Sequence, residues 1–295
     1  MDERLPRFRR VKPRPFILTS RDRRMVELVE EFRLLSSEQV IALLGDGSGQ
    51  QVLRRLQLLY HARFLDRPRS QIVDLVRSPG SRPMVYALGS AGAALLGVKL
   101  PKQVGLEFID HTLGVASVLA AFTLSCRKHG DVRVIPWREI LEEKVPEETR
   151  RKKQPDSWRV RLSGGPMVGI TPDAIFGLHY LAKPEGANRS WFFLEVDRGT
   201  MPVMRKRLSE TSVYRKLLAY HATAEQALQT ELFGMKTFRV LTVTTGEKRL
   251  ASLVEAAKKL PSLHGLYFFS DEESFLKGGT IRGAWVNGRG KEVPI

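Results

Sequence analysis

The chain has 295 residues, enough for two domains with separate cores, and its 42% hydrophobic and 27% charged content is that of an ordinary globular protein. Its 48 Lys+Arg against 32 Asp+Glu leave a formal charge of +16, a field that favours a polyanion and points to nucleic acid rather than to a membrane surface, since no basic amphipathic helix with an aromatic face is visible. The lone Cys126 excludes a disulfide framework and a cysteine-rich zinc site, and apolar runs such as Ala91 to Val98 are too short to span a bilayer.

Residues 1–17 read as a basic flexible arm, with Arg4, Arg7, Arg9, Arg10, Lys12 and Arg14 broken by Pro6, Pro13 and Pro15. The charged start, Met1-Asp2-Glu3-Arg4, has no apolar stretch behind it, so no secretory signal is expected and the cytoplasm is the expected location.

Residues 18–98 read as a winged helix-turn-helix. Thr19 or Ser20 caps a first helix with Met25, Leu28, Val29 and Phe32 at helical spacing, and Ser36 to Gln39 forms a capping box opening a second. A Gly-rich turn, 45–49, precedes a third helix, Gln51 to about Ala62, that buries Val52, Leu53, Leu56 and Leu59 and turns Arg54, Arg55, Gln57 and His61 elsewhere. Phe64–Arg67 and Met84–Leu88 read as two wing strands around a loop with Arg69, Arg77 and Arg82. Three short helices and a β-hairpin match a reader of double-stranded DNA whose third helix enters the major groove. Arg54, Arg55, Gln57, Arg67, Arg69 and Arg82 are then the expected DNA contacts. A generic helical domain or a protein-docking winged helix is the alternative.

After a link at 99–104, residues 105–295 read as a second domain with a mixed sheet flanked by helices, so the chain as a whole is α/β (α+β). Its expected elements are a long helix from Glu107 through Cys126, a strand from Val132 through Trp137 to near Glu139, and a charged loop over 142–157. Strands then follow at Val168–Leu178 and Trp191–Asp197, a helix over Leu208–Leu232, a strand over Phe238–Thr244, a helix over Lys248–Lys259, and a strand over Leu266–Ser270. The glycines of Asn287-Gly288-Arg289-Gly290 suggest a hairpin turn. Within this domain Thr171-Pro172-Asp173-Ala174-Ile175-Phe176 and Phe192-Phe193-Leu194-Glu195-Val196-Asp197 place carboxylates inside β-prone apolar runs, where an isolated charge is costly to desolvate. Two adjacent strands carrying Asp173 and Glu195 to one edge make an oxygen site suited to Mg²⁺ or Mn²⁺, with Asp197 a third carboxylate. The plainer alternative is that they are strand-end acids in solvent or paired with arginine.

That element order, with acids at those places, resembles the PD-(D/E)xK nuclease superfamily, Pro172-Asp173 on the second strand and Glu195 on the third. The whole chain looks like the replication-relaxation family of bacterial plasmids and other mobile elements. The residues that carry this likeness are Leu18-Thr19-Ser20-Arg21-Asp22, His111-Thr112-Leu113, Pro172-Asp173-Ala174, Glu195-Val196-Asp197-Arg198-Gly199-Thr200, and Lys216 with Tyr220 on the next helix. The resemblance implies that Asp173 and Glu195 bind the metal with the Val196 carbonyl, and that Glu107 or Glu139 supplies a further acid. The lysine usual two residues after the acid is replaced by Asp197, so Lys216 on the following helix, or secondarily Lys206, takes its role. Catalytic residues would then be Asp173, Glu195, Asp197 and Lys216, and metal ligands Asp173, Glu195 and Glu107. No paired-histidine cluster of a usual relaxase, Walker loop, Ser-His-Asp arrangement or Rossmann fingerprint is present, and Tyr214 and Tyr220 read as core or rim residues rather than nucleophiles. Three functions stay open: a metal-dependent endonuclease or nickase, a non-catalytic replication-initiation factor working with other replication or mobilisation proteins, and a transcriptional regulator.

Overall fold

The computed structural model describes residues 7–12, 15–72, 83–100, 106–278, 280–283 and 285–295, by backbone alone at 106, 107 and 278. It divides into two compact units, 1–120 and 121–295.

In the first unit Thr19 caps α1 (Ser20–Glu31) through a reciprocal capping box with Asp22. A short strand that the sequence did not announce, β1 (Leu34–Ser36), leads into α2 (Ser37–Leu44), which opens on the expected Ser36–Gln39 box. Gly45, at φ 75°, ends α2 in the left-handed conformation that glycine alone adopts without strain. Then come α3 (Gly49–His61), β2 (Leu65–Asp66), β3 (Val85–Leu88) and α4 (Ser90–Leu96). The strands make an antiparallel sheet in the order β1-β3-β2. Met25, Val29, Val40, Leu43, Val52, Leu56 and Leu59 are buried. Two residues of α3 lie otherwise than the sequence suggests. Leu53 is 36% exposed, whereas His61 is buried and accepts a hydrogen bond from the Val11 amide. Over residues 7–12 the basic arm is therefore docked: Arg10 pairs with Asp66 at 2.6 Å and lies over the Tyr60 ring. The expected wing residues Arg77 and Arg82 lie outside the described residues.

The helix α5 (Leu106–His129) contains the division between the units, so the link expected at 99–104 and the observed division differ. Its first half belongs with the N-terminal core: Ile109 packs with Leu34 and Val85, and Gln39 donates to Ser117. By length and composition alone Phe108–His129 could cross a membrane, with mean hydropathy 1.4. The stretch is not an unbroken apolar run, because Thr112, Ser117 and Thr123 interrupt it.

In the second unit follow β4 (Val132–Ile135), α6 (Trp137–Glu143), α7 (Glu147–Arg150), β5 (Trp158–Arg161), β6 (Met167–Ile170), β7 (Ala174–Tyr180) and β8 (Arg189–Asp197). The chain continues with α8 (Val213–Glu225), α9 (Leu228–Phe233), β9 (Arg239–Thr244), α10 (Glu247–Lys258), β10 (Tyr267–Asp271), α11 (Glu272–Gly278), β11 (Trp285–Asn287) and β12 (Glu292–Val293). Seven strands form a mixed sheet in the order β12-β11-β10-β9-β8-β7-β4, parallel from β8 through β10 and antiparallel elsewhere. β8 reads as a continuous apolar run because both faces of the sheet are covered. Phe193 packs with Tyr220 of α8, while its neighbour Phe192 stacks on Phe176, which in turn meets Phe122 of α5.

Three expected elements are divided. The strand expected over Val168–Leu178 is two strands in different sheets: β6 pairs only with β5, a strand in the stretch left without an expected element after the charged loop, and Pro172 lies between β6 and β7. The helix expected over Leu208–Leu232 starts at Val213 and breaks at Ala227, whose φ of 53° is left-handed. The first strand stops at Ile135 because Pro136 caps α6 and puts Glu139 on a helix.

Candidate functional site

The site is built where β7, β8 and α8 meet. Ala174 pairs with Leu194, and the Asp173 amide donates to the Leu194 carbonyl at 3.0 Å, so Asp173 stands beside Glu195 at the edge of the ladder. The Asp173 carboxylate in turn accepts the Val196 amide at 2.7 Å, which fixes its direction. Ser212 caps α8 by accepting from the Arg215 amide at 3.2 Å, and this sets the phase of the helix. Lys216 and Tyr220, one turn apart, then share the face turned to β8. The Lys216 ammonium pairs with one oxygen of Glu195, and the Tyr220 hydroxyl donates to the other.

Burial decides the electrostatics. Glu195 is 9% exposed and Tyr220 fully buried. Burial pushes the Glu195 carboxyl up to about 7; Lys216 opposes that shift, and the neighbouring Asp173 adds to it. Burial works against the charge of Lys216, but Glu195 and Asp173 outweigh it and leave the ammonium above its ordinary value. Burial and the same carboxylates raise the Tyr220 phenol well above its usual range. Glu195, Lys216 and Tyr220 thus each hold a proton more tightly than in water, with burial acting on all three and Asp173 adding to each shift.

Of the residues read from sequence, Asp173, Glu195 and Lys216 come together. Asp197 is placed differently. Arg249 of α10 grips it in a bidentate pair at 2.8 and 3.0 Å, and Thr244 donates to it at 2.8 Å. Burial raises the Asp197 carboxyl, but Arg249 and Thr244 more than reverse that and hold it below the usual range. Arg249 also donates to the Met201 carbonyl at 2.5 Å, tying the chain beyond β8 to α10. The following excursion is closed at its neck by the Val213 amide on the Pro202 carbonyl and the Tyr214 amide on the Val203 carbonyl, 3.0 and 2.9 Å. Lys206, the secondary candidate, lies exposed on this excursion.

Glu139 is placed elsewhere: both its oxygens accept from Arg133 at 2.8 and 2.5 Å, and Arg133 stands opposite His179, at the far end of β7 from Asp173. Glu107 lies in the first turn of α5, within the N-terminal unit, and its side chain is outside the described residues. Among the described residues no group of three or more His, Cys, Asp or Glu could hold a metal ion. Asp173 and Glu195 are the two carboxylates that stand together at this centre.

The expected DNA contacts also sort by placement. Arg54 and Arg69 are exposed, and Gln57 is half-buried on α3. Arg55 instead donates to Asp22 at 2.8 Å and to the Ile17 carbonyl at 3.1 Å, because Asp22 is fully buried and needs a counter-charge. Arg67 is 6% exposed, bonded to Tyr86 at 3.0 Å and to the Arg7 carbonyl at 2.6 Å, its guanidinium over Tyr60. Arg67 is thus an internal strut of the first unit, while Arg55 is half-buried and committed to Asp22. Arg82 lies outside the described residues.

These features define an α/β protein with a mixed central sheet and a buried carboxylate–lysine centre on its middle strands. The family model for replication-relaxation proteins matches residues 26–235, and the chain belongs to the replication-relaxation family. No curated protein and no solved structure matches it. Membership in this family points to a role in plasmid replication or relaxation, and so implies interaction with DNA in a replication context.

Proposed function

We propose that the protein binds and nicks double-stranded plasmid DNA in the cytoplasm, its first unit serving as a winged helix-turn-helix reader and its second as a PD-(D/E)xK-like nuclease domain. The observation that carries this reading is the convergence of Asp173, Glu195 and Lys216 from a strand entrance, a central strand and the next helix. Two carboxylates with an adjacent lysine are the set that metal-assisted phosphodiester cleavage needs.

Asp173 and Glu195 would hold Mg²⁺ or Mn²⁺ through oxygen, replacing part of the hold that Lys216 now has on Glu195. Such an ion supplies an activated water and neutralises charge developing on the phosphate. Lys216, released from one carboxylate oxygen but kept protonated by the remaining negative charge, would position a phosphate oxygen or the attacking water through Nζ. Tyr220 keeps its proton and fixes the Glu195 carboxylate by donating to its second oxygen. Asp197 takes no part in this chemistry; it anchors β8 to α10.

A second reading, a DNA-binding platform without catalysis, draws on one observation. Both Glu195 oxygens are already taken, by a cation and a hydroxyl, so Lys216 can itself be the resident counter-charge. Supercoiled plasmid incubated with the protein and Mn²⁺ separates the two. Nicking that Glu195→Gln and Asp173→Asn abolish, and Lys216→Ala strongly reduces, is the expected result. Intact plasmid with the unaltered protein, alongside a normal mobility shift on duplex DNA, leaves the platform.

A further inference from the structure

The β5–β6 hairpin was not expected from the sequence, and its two faces differ sharply. Trp158, Val160, Val168 and Ile170 are buried, while Arg159, Arg161, Met167 and Gly169 point outward. The register sets Arg159 opposite Gly169 and Arg161 opposite Met167, and a Cβ built at Gly169 would meet nothing within 4 Å. The outer face is thus open backbone bearing two guanidiniums two strand steps apart, about 7 Å. Neither has a carboxylate partner among the described residues, and the segment from Ser157 to Ile170 contains no Asp or Glu. The approach to the hairpin adds Lys152 and Lys153, both exposed.

The hairpin is also firmly seated. Trp158 donates to Thr223 of α8 at 3.0 Å and packs against Phe193, Tyr220 and Phe233. At its base Thr171 donates to Ser157 at 3.0 Å, and Ser157 donates to the Ile170 carbonyl at 3.2 Å. Three residues after Ile170 the chain reaches Asp173. One end of the hairpin therefore leads into the carboxylate centre, and its inner face rests on the helix that presents Lys216 and Tyr220.

We propose that the outer face of the β5–β6 hairpin, through Arg159 and Arg161, is a second phosphate-contact surface for duplex DNA, separate from the contacts of the first unit. This rests on the DNA-binding reading above and deepens it by naming where the second unit would grip its substrate. Exposed guanidiniums on a firmly seated ribbon can take phosphate oxygens bidentately, and their short spacing lets each take its own phosphate. They carry no base information, so they hold the duplex in register beside the site without choosing the sequence.

The experiment is a salt titration of full-length protein binding to a fluorescent duplex, comparing unaltered chain, Arg159→Ala/Arg161→Ala and Arg159→Lys/Arg161→Lys. Losing two phosphate contacts should lower the slope of log affinity against log salt by about two, and the lysine pair should keep the slope. Both positions are exposed, and matching thermal melts establish that the fold is unchanged. An alanine pair that binds with unaltered affinity and slope overturns the hairpin surface while leaving DNA binding by the first unit standing. Failure of the unaltered chain to bind duplex overturns both readings together.

Discussion

Glu195 is the residue at which burial and charge oppose each other most directly. Its carboxyl is raised from 4.5 to about 7, so the folded state takes up a proton that the unfolded chain releases. The stability this contributes is full below about pH 4.5 and is lost as pH rises through about 7. Relative to Glu195→Gln, the unaltered protein should lose stability across that window, read as diverging denaturation midpoints between pH 4.5 and 7.5. A parallel pH dependence in both proteins would place the titration elsewhere. The Asp22–Arg55 pair tests the opposite case, in which burial of Asp22 is outweighed by Arg55 and its carboxyl is lowered. Arg55→Ala strands a fully buried carboxylate and should cost about 2 kcal/mol, less than a fully enclosed pair because Arg55 is 29% exposed. Urea unfolding measures it, and the Asp22→Asn/Arg55→Ala double variant should recover part of the loss. A weakening of DNA binding by Arg55→Ala therefore has to be corrected for stability before it is read as a lost contact, whereas Arg54→Ala is free of that complication.

At the scale of elements, the break between α8 and α9 turns on Ala227, whose left-handed φ of 53° is costly for any residue with a Cβ. Ala227→Gly should stabilise the protein by about 1 kcal/mol, checked by a rise in melting temperature; a fall would mean that the loss of chain stiffness outweighs the relieved strain. Legibility in the sequence followed the length and purity of the pattern. The β8 strand was readable because its apolar run is long, and Asp173 and Glu195 because a carboxylate inside such a run is conspicuous. The Ser36–Gln39 capping box was readable because it is local, and the first helix start was readable to within a residue, Thr19 or Ser20, though not its reciprocal bond with Asp22. The β5–β6 hairpin was not, since four alternating residues, Trp158 to Arg161, follow directly on a charged stretch. Arg249 was not either: it meets Asp197 across 52 residues of chain, and nothing in the spacing pairs them. Lys216 was legible through the resemblance, ahead of Lys206, but its contact with Glu195 depends on the phase that the Ser212 cap gives α8.

For the whole molecule, the +16 charge predicts association with nucleic acid that weakens steeply with salt, and the two units predict how the chain can be cut. Ile109 and Ser117 of α5 pack on the first unit, so a fragment of residues 1–98 lacks part of its own core. A fragment ending at His129 should unfold cooperatively and at higher denaturant than one ending at Val98. Equal midpoints would show that the start of α5 contributes nothing to that core.

The placement of Asp197 has a consequence for how the protein can be altered. Because Lys216 reaches Glu195 from a helix, position 197 is left to Arg249, which also clasps Met201, and the neck at Pro202–Val203 and Val213–Tyr214 shuts the excursion behind it. The tip, Met204 to Glu210, is exposed beyond that clasp. Lengthening a loop already closed at its base adds only about 0.6 kcal/mol per doubling. Between Lys206 and Arg207 the protein thus offers a place for a foreign peptide, a tag or a recognition segment, that grows outward without disturbing the buried centre a few residues away.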